Sequence, residues 1–200
     1  MEIPPDKKWS PEEIDGGLKL MLSEGRVVFL PSKPDTASML PTLHPGQRVA
    51  VARAGELLER GDLLLFRQTG DRVVHRYLGP ATDANGAPCL RTRGDNNPTL
   101  DAPLDPAGVI GRVIAIERDG GWVELDSAAA RLYGLGAALH DLFWAVAAHA
   151  AGKLDTLLGR PDGTLRQRIV NCDRGLLAAA HRLFLRFARR REDPGGPGTA

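Results

Sequence analysis

Between Arg26 and Leu125 the chain is interrupted every few residues by Gly, Pro, Asp or Asn, and the runs left between are short and β-prone. An amphipathic helix needs about ten or more residues of sustained apolar period, whereas strands need only four to eight bounded by turn residues. The pattern therefore predicts strands over Arg26–Leu30, Gln47–Ala52, Leu63–Arg67, Arg72–Leu78, Cys89–Arg93, Val109–Glu117 and Trp122–Leu125. Seven short strands at this spacing make an all-β sheet or barrel-like domain over residues 26–126.

The flanks read differently. Ser10-Pro11-Glu12-Glu13 is a capping-box pattern with Pro at the first helical position, and it predicts a short helix from Pro11 to Ser23 inside an N-terminal segment, residues 1–25. Gly16 and Gly17 weaken that helix without breaking it. After Asp126 the composition turns to Ala, Leu and Arg at helical spacing. It predicts one helix over about Ala128–Leu158 and a second over about Thr164–Arg191, separated by Gly159, Pro161, Asp162 and Gly163. The fold class expected is mainly β with a C-terminal α-helical extension at residues 127–192. Residues 193–200, which include PGGPG, are expected to be a disordered tail.

Composition excludes some functions and leaves others open. Lys and Arg total 26 against 25 for Asp and Glu, a net charge of +1, so no global field favours nucleic acid or an acidic substrate. Cys89 and Cys172 match neither a CxxC motif nor a metal-ligand spacing and are expected to be plain thiols; no cofactor and no metal is predicted. The N-terminus has no apolar stretch after its charges, so a cytoplasmic location is expected. The most apolar window, Leu132–Ala151, holds His140, Asp141 and His149, which are costly in lipid, and reads as a core-packing helix.

Three short stretches in the β-rich region carry chemistry. Thr36-Ala37-Ser38-Met39-Leu40-Pro41-Thr42 places a serine in a loop before a strand, where serine is commonly a plain turn residue. Asp71-Arg72-Val73-Val74-His75-Arg76-Tyr77 places a histidine in an apolar run, where a neutral imidazole also serves simply as a packed hydrogen-bonding group. Arg93-Gly94-Asp95-Asn96-Asn97-Pro98-Thr99-Leu100-Asp101 reads, by itself, as a tight turn. Each is weak alone; their order is informative.

Ser38-Met39-Leu40-Pro41, Gly61-Asp62, His75-Arg76, Gly94-Asp95-Asn96-Asn97, Asp101 and Gly111-Arg112-Val113 occur in the sequence of motifs that the S26 signal peptidases carry. Over roughly half its length the chain resembles that family, in particular the Ser-His branch found in the endoplasmic reticulum, archaea and some spore-forming bacteria. The resemblance implies a signal-peptidase/LexA-like β-domain and a serine endopeptidase that cleaves a leader, signal or propeptide through an acyl-enzyme on Ser38. It implies His75 as general base where related enzymes use lysine. A histidine needs no desolvation to be neutral at physiological pH, but it needs a buried acceptor to fix its tautomer. The resemblance makes Asp101 the first choice for that acceptor and Asp95 the second.

It also implies an oxyanion site made by the Ser38 amide and the hydroxyl of Thr36, with Ala37 standing where the family commonly has glycine. Met39 and Pro41 read as loop anchors. The partner expected is a peptide or protein substrate, with no specific nucleic acid. A peripheral membrane contact is also open, through the basic amphipathic stretch in which Leu176, Leu177, Leu183, Phe184 and Phe187 accompany Arg174, Arg182, Arg186, Arg189, Arg190 and Arg191. Packing of that helix on the β-domain is the other reading. Two further functions fit the same residues, a catalytically inactive peptide-binding module of the same fold and a self-cleaving regulator. No helix-turn-helix precedes the β-region, and the base is not lysine, which disfavours the regulator.

Overall fold

A computed structural model describes residues 9–159, 164–188 and 190–191. It is mainly an antiparallel β-sheet with one helix before it and a helical pair after it. The sheet runs β1 (Val28–Pro31), β2 (Arg48–Ala52), β6 (Val109–Arg118), β3 (Leu63–Gln68), β4 (Asp71–Thr82), β5 (Pro88–Arg93) in spatial order, and β7 (Gly121–Glu124) joins β6 beyond the end of β3. Tight turns close β3–β4 and β6–β7, with Thr69 and Gly70 and then Asp119 and Gly120 at positive φ. Register shifts at Ala50/Val51, Leu65/Phe66 and Tyr77/Gly79 mark bulges, which bend and twist a sheet.

Alternation along β3 feeds two cores. In β3 the run Leu63-Leu64-Leu65-Phe66 is buried on both faces. Leu63 and Leu65 join Met39, Leu43, Val49 and Val113 in the larger core, while Leu64 and Phe66 join Tyr77, Leu90 and Leu104 on the other. The first helix, α1 (Pro11–Ser23), lays Leu18 and Leu22, four residues apart, on the larger core. Its N-terminus has the expected capping box: Glu13 N–H donates to Ser10 Oγ at 3.2 Å, and Ser10 N–H donates to the Glu13 carboxylate at 2.8 Å.

The extension consists of α2 (Ala128–Leu157) and α3 (Thr164–Phe187). α2 crosses the β-region at Gly134, where a Cβ on Gly61 would lie 2.2 Å from the Gly134 carbonyl carbon. Gly61, at φ +102°, therefore answers two demands, a left-handed backbone and an approach that no side chain permits. On α3, Leu177, His181 and Phe184 are buried. Phe184 stacks on Tyr133 with ring centroids 4.7 Å apart.

One expectation for the helical extension needs correction. The second helix ends at Phe187 rather than Arg191, and Arg190–Arg191 pair as a short strand (β8) with Val123 and Trp122. The exposed edge of β7 offers unpaired backbone groups there, and these hold the chain in extended form. The window Leu132–Ala151 packs on the core by one face alone. That face is small (Gly134, Ala137, Ala138), as close approach requires, while Leu132, Leu139, Phe143 and Val146 are exposed. Among the described residues no helix is long and apolar enough to cross a membrane. Cys89 is a buried free thiol. Arg189 and residues 193–200 lie outside the described residues, as do the side chains of Cys172 and Arg174.

His181 ties α3 to the sheet, and it makes that tie pH-sensitive. Arg118 Nη1 donates to its Nε2 at 2.7 Å, so the imidazole is neutral, and its Nδ1 is buried without a hydrogen-bond partner. Burial, reinforced by the Arg118 charge, pushes its pKa down from 6.5 to about 4. The unfolded chain therefore binds the proton first as pH falls, and stability is lost between about pH 6.5 and 4, by up to ~3 kcal/mol at 1.36 kcal/mol per unit. Thermal melting between pH 7 and 4.5 should fall less steeply for His181→Gln than for the parent. Equal slopes would remove His181 from the acid response.

Candidate active site

The serine loop is fixed by its backbone and its apolar side chain. Met39 is buried in the larger core, and Leu43 N–H donates to the Met39 carbonyl at 2.9 Å. The Gly94-Asp95-Asn96 turn holds the loop from the other side. Asn96 N–H donates to the Ser38 carbonyl at 2.7 Å, and Asn96 Nδ2 donates to the Ala37 carbonyl at 3.1 Å. A Cβ on Gly94 would stand 2.7 Å from that Ser38 oxygen, so the turn requires glycine there.

Ser38 Oγ is left half-buried at the edge of a cleft, 3.2 Å from His75 Nε2. His75 lies on β4, opposite Leu64 of β3, with Phe66 edge-on to its ring. Its Nδ1 is 2.7 Å from Asp101 Oδ2, and both side chains are 5% exposed. Thr92 Oγ1 also donates to Asp101 Oδ2, at 2.8 Å, and Asp101 N–H donates to the Thr92 carbonyl. Burial pushes the Asp101 pKa up, but hydrogen bonding and charge from His75, with donation from Thr92 and Gln68, outweigh it and hold it below the usual carboxylate value. An ionised Asp101 accepting from Nδ1–H leaves Nε2 as a lone-pair acceptor facing Ser38.

Asp95, the second-choice acid, does not reach His75. Its carboxylate takes both Nε (2.8 Å) and Nη2 (2.7 Å) of Arg76, each partner essentially buried, and accepts a short hydrogen bond from Thr42 Oγ1. Burial alone would lower the Arg76 pKa; the adjoining Asp95 charge outweighs it and raises it. Thr42 gives its proton to Asp95, so the Tyr133 hydroxyl, 2.8 Å away, donates to Thr42. Burial pushes the Tyr133 phenol up to about 12, which keeps that proton in place. The Arg76 guanidinium also lies over the Tyr133 ring, 5.5 Å from its centroid.

This buried pair supports the site without touching Ser38. Asp95→Asn leaves the Arg76 charge buried without its counter-ion, a change expected to cost about 3 kcal/mol. Melting should drop by roughly 10 °C, which calorimetry would measure. An Asp95→Asn protein that melts with the parent would remove the stabilising role assigned to this pair.

Thr36 stands beside the Ser38 amide, which points at Thr36 Oγ1 over 3.4 Å. The two oxyanion candidates are thus neighbours on the cleft wall. The cleft has a volume of about 370 Å³, with Ile14, Leu30, Met39, Leu65 and Val74 among its apolar lining. Arg67 closes one side by holding α1: its guanidinium pairs with Asp15 (2.6 Å) and donates to the Pro11 carbonyl. Lys33 and Asp71 form an exposed ion pair, 2.8 Å, at the rim.

The remaining motif residues meet away from the serine. Arg112 pairs with Asp126 at 2.5 Å and with Asp62 at 3.6 Å, and Asp62 caps the turn by accepting from Glu59 N–H. Sequence reasoning passed over Thr42, Thr92 and Tyr133. Thr42 lay inside the quoted serine stretch but carried no assigned role, and Tyr133 sits 91 residues away in the helical extension, beyond any local pattern. Among the described residues no group of three or more His, Cys, Asp or Glu side chains is placed to hold a metal. No family model matches the chain, and no curated protein matches it.

Proposed function

We propose that this chain is a serine endopeptidase of the signal-peptidase type, which removes a leader, signal or propeptide from its substrate. The observation that carries the reading is the line Ser38 Oγ–His75 Nε2–His75 Nδ1–Asp101 Oδ2 at the edge of an apolar cleft. Serine is a poor nucleophile until a base takes its proton, and a base is useful only if its lone pair is aimed. Asp101 aims it.

In the proposed reaction Ser38 Oγ attacks the scissile carbonyl carbon as its proton passes to His75 Nε2. The carbonyl π electrons move onto oxygen, and the Ser38 N–H, released from Thr36 Oγ1, would receive that charge together with the Thr36 hydroxyl. Collapse breaks the C–N bond, and His75 Nε2–H protonates the leaving amine. Water, deprotonated by the same nitrogen, then cleaves the acyl-enzyme and restores the Ser38 hydroxyl. Asp101 remains ionised throughout and stabilises the transient imidazolium.

An extended peptide lying against β1 would place side chains in the cleft, and the family resemblance favours small residues such as Ala at the first and third positions before the cut. Incubation with quenched leader-type peptides of that pattern, with fragment masses read by spectrometry, tests the assignment. One cut after the small residue is expected, and no cleavage across such a panel would overturn it. An inactive peptide-binding module is the weaker reading, because a chain freed from catalysis has no need to keep His75 aimed at Ser38.

A further inference from the structure

Outside the cleft, the largest unexplained feature is an apolar ridge along α2. Leu132, Leu135, Leu139, Phe143 and Val146 follow one another in steps of three or four, and the ridge continues through Ala150 and Leu154 to Leu157. These steps keep one side of a helix in line. Leu132, Phe143, Val146 and Leu157 are between 64% and 82% exposed, on the face away from the buried Gly134, Ala137 and Ala138. At 1.5 Å per residue the ridge is about 37 Å long. α3 carries a second exposed set, Leu176, Leu183 and Phe187, away from its own buried Leu177, His181 and Phe184. Contiguous apolar surface on this scale marks a site of contact.

Charge separates the possible occupants. On the described side chains of α2 and α3 every exposed charged group is a cation: Arg131, Lys153, Arg182 and Arg186. The two acids of α2, Asp141 and Asp155, are buried. Arg131 is held by Glu59 and Asp126, whereas Arg182 and Arg186 flank Leu183 and Phe187 in the sequence. A second copy packed on the hairpin would bring, among the described side chains, no exposed acid to meet Lys153, Arg182 and Arg186, and the ridge residues offer no polar groups to set a register, as a specific protein interface does. A bilayer needs no register. It needs an apolar face to enter the acyl boundary and cations to meet its headgroups.

We infer that the α2–α3 hairpin is a membrane-interface surface, on which the protein lies against an anionic lipid bilayer without crossing it. This goes beyond the proposed peptidase activity and does not rest on it. The apolar ridge supplies the depth, and Arg182 and Arg186 supply the preference for anionic lipid.

Flotation of the full chain with vesicles tests it, comparing phosphatidylcholine alone with phosphatidylcholine containing 30% phosphatidylglycerol. Binding to the anionic vesicles is expected at low salt, with little to the neutral ones. Arg182→Gln with Arg186→Gln should weaken binding roughly 30-fold, taking about 1 kcal/mol per basic residue near the surface. Phe143→Glu, at an exposed position that leaves the fold intact by melting, should weaken it by more than about tenfold. Sedimentation velocity without lipid provides the other arm. A monomer that binds anionic vesicles supports the inference. Absence of vesicle binding overturns it, and a dimer that Phe143→Glu dissociates would assign the ridge to a second copy. Equal binding to both vesicle types would overturn the role of the arginines.

Discussion

Ser38→Ala is expected to lower kcat for peptide cleavage by roughly 10⁴- to 10⁶-fold while leaving the melting temperature within about 2 °C of the parent. The two effects separate because the loop is not held by the serine side chain. Its anchors are the Ser38 and Ala37 carbonyls, which accept from Asn96, and the buried Met39. Alanine keeps all of them. What it removes is the oxygen 3.2 Å from His75 Nε2, and with it the covalent route. Equal turnover by the two proteins would refute the assignment, and a large loss of stability would mean the loop is held differently.

Asp101→Asn is expected to reduce kcat by roughly 10³- to 10⁴-fold with KM nearly unchanged. The carboxylate receives His75, Thr92 and Gln68, and an amide offers a single acceptor oxygen to the same three groups. It also brings no negative charge to the imidazolium that forms as Ser38 attacks. Because Asp101 acts on the base and not on the peptide, the loss belongs in kcat. Steady-state kinetics on Asp101→Asn and Asp95→Asn side by side decides between the two acids. An active Asp101→Asn protein beside a dead Asp95→Asn protein of parental stability would reverse their roles.

The strands were legible because a sheet of this kind repeats a simple code. Leu63 to Phe66, uninterrupted and apolar, could only be a segment buried on both faces, and α1 carried its own start signal in Ser10 and Glu13. Boundaries failed where tertiary context intervened. Gly79-Pro80 reads as the end of β4, yet the strand runs on to Thr82, since a bulge between Tyr77 and Gly79 absorbs the misfit. Phe187 is not followed by helix because β7 has an edge to fill. In the site, the Ser38 loop, His75 and Asp101 formed an ordered set of short motifs. The choice between Asp101 and Asp95 was a matter of which carboxylate the β5 turn swings toward β4, and spacing of six residues does not contain that. Nor does hydropathy distinguish the face of α2 that packs from the face that projects, because the packing face carries small residues and the two acids Asp141 and Asp155, whereas the large apolar residues project.

The meeting of Gly61 with Gly134 bears on how such a molecule could be assembled or redesigned. Residue 126 looks like a seam, with strands before it and helices after it, and a designer would be tempted to cut there and graft another extension. The two backbones, however, touch at a point that admits no side chain at Gly61 and leaves only tight contact for one at Gly134, and Tyr133, beside it on α2, completes the hydrogen bonding of Thr42 next to the Arg76–Asp95 pair. A replacement helix would have to bring a glycine and a tyrosine in register to within a single residue. The helical half is therefore an interchangeable part only in appearance, and no substitution at position 134 could make room for a side chain at Gly61, because the clash is with backbone.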